Sequence, residues 1–301
     1  NFYPNSLGLV YSAITYFLGW KHHCDEGIIM GLAPFGNFNN IVPGTRKTYL
    51  AFFRNIIREK GDFSFDINPK YMDYYNQRDK WVSDEFIKIF GKKRKNSANV
   101  TQHHKDIAAA LQKRLEEVVI KQLTIANKKF KFDNLCLAGG VALNCSMNGK
   151  ILEKKIFKNI FVAPASGDDG CAIGACYLAY KKKNSKLSPK RDFNFYLGSR
   201  FSKSYVKKVL DKNKVKYTEP ENLYKSTAKF IADGKIVAWF QGGAEFGPRA
   251  LGNRSILCKP FPKSMKDYLN FRVKFREGFR PFAPAVLEKY QKNYFKINQI
   301  S

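Results

Sequence analysis

Acidic residues are scarce in this chain: 25 Asp and Glu stand against 53 Lys and Arg in 301 residues, a formal charge of +28 at pH 7. Other features are missing outright. No apolar run is long enough to cross a bilayer. The start, Asn1-Phe-Tyr-Pro-Asn, has neither initiator Met nor the basic head and apolar middle of a secretory leader. The expectation is a cytoplasmic protein without a membrane partner, seen here as an internal piece of a longer chain. There is no GxxxxGK[ST] phosphate loop, no GxSxG elbow and no Ser/His/Asp ordering, which removes the commonest motif-bearing NTPases and hydrolases. The six cysteines (Cys24, Cys136, Cys145, Cys171, Cys176, Cys258) form no CxxC pair. They are expected to be reduced core thiols rather than disulfides or zinc ligands.

What is present is 44% hydrophobic and 15% aromatic, enough for a folded chain of two domains. Excess cation invites phosphate chains. However, the basic runs, Lys92-Lys-Arg-Lys95 and Lys181-Lys-Lys183, fall in linkers and helix ends, and Asn, Ile, Phe and Tyr are also frequent. The charge therefore reads as a solvated lysine-rich surface, and nucleic acid is not the expected partner.

Periodicity predicts an apolar helix over 6–20, a Gly/Pro loop at Met30–Gly36, and an irregular aromatic stretch over 37–100. A long helix is expected from about His104 to Ala126, with Ile107, Ala108, Leu111, Leu115, Val118, Val119 and Leu123 on its apolar face. Two strand–loop–helix units follow: strand 134–138, turn Gly139-Gly140, helix 141–153; then strand 159–163, loop 164–168, helix 169–180. The alternation predicts an α/β layer with a largely parallel sheet. Lys181–Lys190 reads as a linker, with a second domain from Arg191. Helices over 205–213 and 223–233 then lead into a strand at 235–240.

Three places carry chemistry. Gly139-Gly140 ends a strand and opens a helix, a geometry that suits a phosphate, with Asn144 and Asn148 on one helix face. Close helix–strand packing is the plain alternative. Ser166-Gly-Asp168-Asp169-Gly170 offers adjacent carboxylates for a divalent cation or, more simply, a helix cap. The third place is the richest. Strand 235–240 runs into a loop holding Gly242, Gly243, Gly247 and Gly252 with Arg249 and Arg254, followed by Lys274, Arg276 and Arg280 beside Pro281. Glycine lets a backbone approach a ligand, and guanidinium forks match phosphate or carboxylate. This reads as a pocket for small, multiply anionic molecules. Surface ion pairs with Glu245 and Glu277 are the alternative.

Together, Leu137-Ala-Gly-Gly-Val-Ala-Leu-Asn144, the 164–175 segment, Gly242–Ser255, 276–286, Ser6–Ser12 and Met30–Gly36 resemble the NodU/CmcH family of O-carbamoyltransferases. The resemblance touches nearly the whole chain except residues 37–100. It implies part of an actin/hexokinase-like ATPase domain that transfers the carbamoyl group (1–185), then an incomplete YrdC-like domain (191–301). In such enzymes the YrdC-like domain makes carbamoyl-adenylate from ATP and carbamoyl phosphate. The ATPase-like domain passes the carbamoyl group to a hydroxyl of a small molecule or sugar.

Carried over, Gly139, Gly140 and Asn144 become nucleotide contacts, and Asp168 becomes a ligand of a divalent metal such as iron. Arg249, Asn253, Arg254, Lys274, Arg276 and Arg280 grip carbamoyl phosphate and the adenylate, with Mg2+ on the ATP phosphates. The resemblance also implies two metal histidines and an acidic phosphate loop upstream of the Ser-Leu-Gly motif, a continuation past Ser301, and a bulkier, often basic residue where Gly243 stands. A tRNA threonylcarbamoylation-type enzyme, a sugar kinase of the actin/hexokinase fold, and a basic nucleotide-binding module without turnover are the competing readings.

Overall fold

The computed structural model describes residues 2–76, 79–184 and 194–297, and the chain falls into two units, Asn1–Val162 with Phe279–Ser301 and Ala163–Gly278. It is a mixed α/β fold with small sheets. The first unit begins with α1 (Leu7–Phe17), capped by Ser6, whose Oγ accepts from Leu9 N, and α2 (Glu26–Leu32). A short 3-10 turn, Ala33–Phe35, completes the second helix. The Met30–Gly36 stretch expected as a loop is thus mostly helical: Pro34 sits within the first turn of the 3-10 segment, where it loses no needed N–H.

The larger correction falls on 37–100. That segment forms α3 (Tyr49–Ile56), a hairpin of β1 (Ile57–Glu59) and β2 (Phe65–Ile67), and α4 (Asp84–Phe90). Each element is eight residues or shorter, below the window in which apolar spacing declares itself. Local caps do the specifying: Thr48 Oγ1 accepts from Ala51 N, and Ser83 Oγ from Phe86 N. Far from peripheral, the segment supplies Phe53, Ile56, Met72 and Phe86, all fully buried.

Those residues pack around α5 (Gln102–Phe130), whose Ile107, Leu111, Leu115 and Val118 face the same core. Fully burying one such side chain contributes about 1.5–3 kcal/mol. The helix starts where Thr101 N–H donates to His104 Nδ1 at 3.0 Å. Gly36 lies flush against its backbone: a methyl there would stand 2.0 Å from the Lys105 carbonyl oxygen. Next to it, the Asp106 carboxylate accepts from Asn37 N, Asn40 Nδ2 and Gln102 Nε2. Arg114, buried on the same helix, donates twice to Ile57 O and once each to Glu59 and Glu117.

After α5 come β3 (Asn134–Leu137), a 3-10 turn Gly140–Leu143, α6 (Cys145–Glu153) and β4 (Asn159–Val162). β3 and β4 pair in parallel, Asn134 opposite Asn159, as a βαβ crossover through α6 dictates. The broad parallel sheet that was expected is absent among the described residues; this two-stranded pair is its only parallel part. Phe279 closes the unit, its ring 6.4 Å from Trp20 and 6.3 Å from Phe35.

The second unit holds α7 (Gly170–Lys183), α8 (Lys203–Lys212), α9 (Leu223–Ala232), the antiparallel pair β5 (Val237–Phe240) and β6 (Arg254–Leu257), and α10 (Ser264–Leu269), which runs on as a π-helical turn over Asn270–Lys274. The last helix, α11 (Gln291–Tyr294), belongs to the first unit. Of the expected linker, 181–183 end α7, while 185–190 and Arg191 lie outside the described residues. All six cysteines are free, but five are exposed and Cys258 half-buried. The core-thiol expectation fails because β3 turns Cys136 outward and α7, carrying Cys171 and Cys176, buries no residue. No helix among the described residues is long and apolar enough to cross a membrane.

Candidate functional site

The glycine–arginine loop joins β5 to β6, and its shape is set by backbone contacts. Segment 195–199 runs beside it: Gly198 N donates to Ala244 O, Ala244 N to Ser199 O, and Phe246 N to Phe195 O. This close approach explains Gly243. A methyl there would lie 2.5 Å from Tyr196 O and 3.0 Å from Arg200 Nε, so no bulky basic side chain fits at this position. Gly247, at φ 124, passes within reach of the 164–165 backbone; a methyl would sit 3.0 Å from Pro164 O. The 242–255 and 164–170 motifs, 70-odd residues apart in sequence, therefore meet in one unit.

Three side chains fasten the loop. Asn253, buried, donates through Nδ2 to Gly243 O at 2.7 Å. Arg254 spreads its guanidinium over carbonyls, donating to Gln241 O (2.6 Å), Asn253 O, Ser199 O and Gly242 O, and stacks on Phe240 with its carbon 3.6 Å from the ring centroid. Glu245 Oε1 accepts three backbone N–H groups, from Leu251 (2.9 Å), Asn253 (2.8 Å) and Arg254 (3.0 Å). Partial burial would raise this carboxyl, but the converging N–H groups win and hold it at about 2. Arg249, between Glu245 and Leu251 in sequence, is exposed. The alternative reading of an ion pair for Glu245 gives way to this backbone nest.

The second cationic segment divides. Arg276 Nε donates to Asn270 Oδ1 at 2.8 Å, while Asn270, fully buried, donates to Gly278 O. Lys274, at the end of the π-helical turn, is exposed. Arg280 belongs to the first unit, between Phe279 and Pro281, whereas Arg249, Arg254, Lys274 and Arg276 belong to the second.

In the first unit, Gly139 takes φ 95 and a methyl on either Gly139 or Gly140 would meet nothing within 4 Å. Open space over two glycines at a strand end leaves room for a ligand. Asn144 follows the turn and is fixed from below. Its Oδ1 accepts from Met147 N and from Gln112 Nε2, and its Nδ2 donates to Gln112 Oε1 at 2.8 Å. Gln112 also accepts from the Tyr11 hydroxyl and donates to Glu116. Burial pushes Tyr11 far above the usual phenol range and raises Glu116 as well. Asn148 turns inward, donating to Ala142 O. Sequence reasoning missed Gln112 and Tyr11. The available signal was a glutamine set between the apolar positions of α5.

Asp168 and Asp169 are exposed at the start of α7, and Asp169 makes no side-chain cap bond, against the capping alternative. Gly170 is obligatory, since a methyl would fall 2.1 Å from Ala165 O. Nearby in sequence, the Ser166 hydroxyl is buried without a hydrogen-bond partner. Two carboxylates and an orphan hydroxyl are oxygen donors that suit a divalent cation. No group of three His, Cys, Asp or Glu that could hold a metal occurs among the described residues.

Comparison with known proteins matches two stretches of the chain. Residues 1–177 match the family model described as carbamoyltransferase N-terminus, and residues 228–301 match carbamoyltransferase C-terminus. An uncharacterised protein of Synechocystis sp. is 39% identical over 99% of this chain and 49% of its own length. Nodulation protein NolNO of Sinorhizobium fredii is 36% identical over 97% of this chain and 41% of its own. The 3'-hydroxymethylcephem-O-carbamoyltransferase of Streptomyces clavuligerus is 35% identical over 50% of this chain and 27% of its own. The chain spans about half the length of the curated relatives it matches.

Proposed function

Since this chain belongs to the carbamoyltransferase family, we propose that the full-length protein is an O-carbamoyltransferase. The observation that carries this reading is the two-part family match, one model on residues 1–177 and the other on 228–301. Carbamoyl phosphate, water and ATP would give carbamoyl-adenylate, phosphate and pyrophosphate. Attack by an acceptor hydroxyl would then yield the carbamate ester and AMP. The acceptor class is a hydroxyl-bearing small molecule or sugar.

The residues serve this chemistry in distinct ways. The loop of 241–255 arrives prefolded: Arg254 and Asn253 anchor it, and it carries the exposed Arg249. A preorganised cation stabilises charge on a phosphoryl or adenylyl group without first rearranging. Lys274 and Arg276 are further candidate cations of the second unit for carbamoyl phosphate and adenylate, Arg280 is a candidate of the first unit by itself, and Mg2+ would accompany the ATP phosphates. Arg254, with its donors spread over four carbonyls, supports the site by shaping the loop, so its contribution to binding is indirect. At the other end, Gly139, Gly140 and Asn144 offer an open turn for a nucleotide, Asn144 being clamped by Gln112. Asp168, with Asp169 and Ser166, is where a divalent ion such as iron would be held, and that ion when bound polarises a carbonyl or hydroxyl oxygen. The architecture proposed for the two parts is ATPase-like and YrdC-like.

The test uses the full-length protein with ATP, carbamoyl phosphate and a metabolite extract, read by mass spectrometry for the carbamoyl increment. Carbamoyl-phosphate-dependent exchange of pyrophosphate into ATP is measured in parallel. Arg280→Ala is expected to abolish that exchange with an unchanged circular dichroism spectrum. Exchange at the wild-type rate in that variant would remove Arg280 from adenylate formation. Sugar-stimulated ATP hydrolysis without need of carbamoyl phosphate would overturn the whole reading.

A further inference from the structure

The loop between β5 and β6 contains three backbone N–H groups, of Leu251, Asn253 and Arg254, that converge on one point 2.8–3.0 Å away. Such a concavity of N–H groups attracts an anion. Here the anion is internal: a single oxygen of Glu245 takes all three. Gly252, at φ 104, provides the turn that aims its neighbours inward. Arg254 does the mirror-image task, taking carbonyls of Gln241, Gly242, Asn253 and Ser199. One carboxylate gathers donors and one guanidinium gathers acceptors, and between them they fasten both arms of the loop.

We propose that Glu245 is a positioning residue that acts as a built-in anion: it fills the N–H nest of residues 251–254, fixing the arginine-bearing loop and keeping a substrate phosphate out of that nest. The inference rests on the carbamoyltransferase reading for its catalytic consequence only. Physically it needs two things. The nest must be strong enough to hold a charge, and the three bonds to a carboxylate oxygen supply that. The nest must also be closed to substrate, and the Glu245 oxygen already takes all three of its N–H groups.

Removing the carboxylate then has two separable effects. The loop loosens, and an empty anion seat opens. Glu245→Ala is expected to lower amide-exchange protection at Leu251, Asn253 and Arg254 by about tenfold or more, the loss expected for hydrogen bonds to a charged acceptor. Protection along α5 stays unchanged. Formate, added as a small carboxylate, is expected to restore protection at the same three amides in Glu245→Ala and to do nothing to the wild type. Glu245→Gln, which keeps an acceptor oxygen without the charge, falls between the two and carries the test if the alanine variant does not fold. In the pyrophosphate-exchange assay on full-length protein, Glu245→Ala raises the KM for carbamoyl phosphate about tenfold, and inorganic phosphate inhibits it more strongly than wild type. Unchanged protection in Glu245→Ala overturns the proposal. So does lost protection that formate fails to restore, since that marks a purely structural side chain. A wild type without carbamoyl-phosphate-dependent exchange sinks the functional reading alone, and the amide measurements still decide the role of Glu245.

Discussion

Gly36→Ala adds one methyl where two backbones touch. That methyl would stand 2.0 Å from the Lys105 oxygen, 2.3 Å from its carbonyl carbon and 2.8 Å from Asp106 N. All three lie inside the closest approach of 3.0 Å that real side chains show. The contacts are main-chain atoms of α5, so no side chain can swing aside. The φ of −105 is ordinary, so the whole cost is steric. Overpacking of this kind costs about 1–3 kcal/mol. Moving residue 36 outward also drags Asn37 and Asn40 from the buried Asp106 carboxylate, each bond to that charge contributing about 1.5–3 kcal/mol. A loss of about 3–5 kcal/mol in unfolding free energy is expected, measured by urea titration followed by circular dichroism. Gly27→Ala is the matched control: it lies in α2, nothing stands within 4 Å, and it should gain about 0.5–1 kcal/mol. If Gly36→Ala falls within 0.5 kcal/mol of wild type, roughly the spread of neutral surface changes, the packing argument is refuted.

Two further perturbations bear on the frame. Arg114→Met strips the buried guanidinium from Ile57 O, Glu59 and Glu117 and should cost about 3–5 kcal/mol, read by the same titration. His104 is held at about 4 by burial, helped by His103 and Arg94. Its neutral Nδ1 accepts from Thr101 N, and a proton there would block the bond. The unfolded chain binds that proton from about pH 6.5 downward, so stability should fall between pH 6.5 and about 4 and level off below. His104→Gln keeps an acceptor and should remove that contribution to the slope. An identical slope in the variant would discard the assignment.

Long periodic elements and strand–turn–helix units could be read directly. The spacing of Ile107, Leu111, Leu115 and Val118 marks α5 because a long helix repeats its apolar face many times. Strands β3 and β4 were legible for a related reason, since each is a short apolar run ending at glycine or proline. The aromatic core of 49–90 was not legible. Its helices and strands are three to eight residues long, and what selects them is the company of α5, which no local pattern encodes. β6 was hidden for another reason: it starts at Arg254, in the middle of a motif dominated by glycine and charge. Within the site, residue type identified the loop but not the division of labour. Arg254 spreads over three carbonyls of its own loop and over Ser199 O, the last a tertiary contact that no local pattern encodes. Arg280 shows the same limit, since proximity in sequence to Arg276 did not place it in the same unit.

The path of the chain has a mechanical consequence. It leaves the first unit after Val162 and re-enters at Phe279, whose ring lies beside Trp20 and Phe35. Any cut between 163 and 278 would sever the covalent chain yet leave each fragment holding a share of one packed body. The two halves should then copurify until denaturant releases them, and a truncation ending before residue 279 would strip Trp20 and Phe35 of the aromatic neighbour that the returning polypeptide brings them.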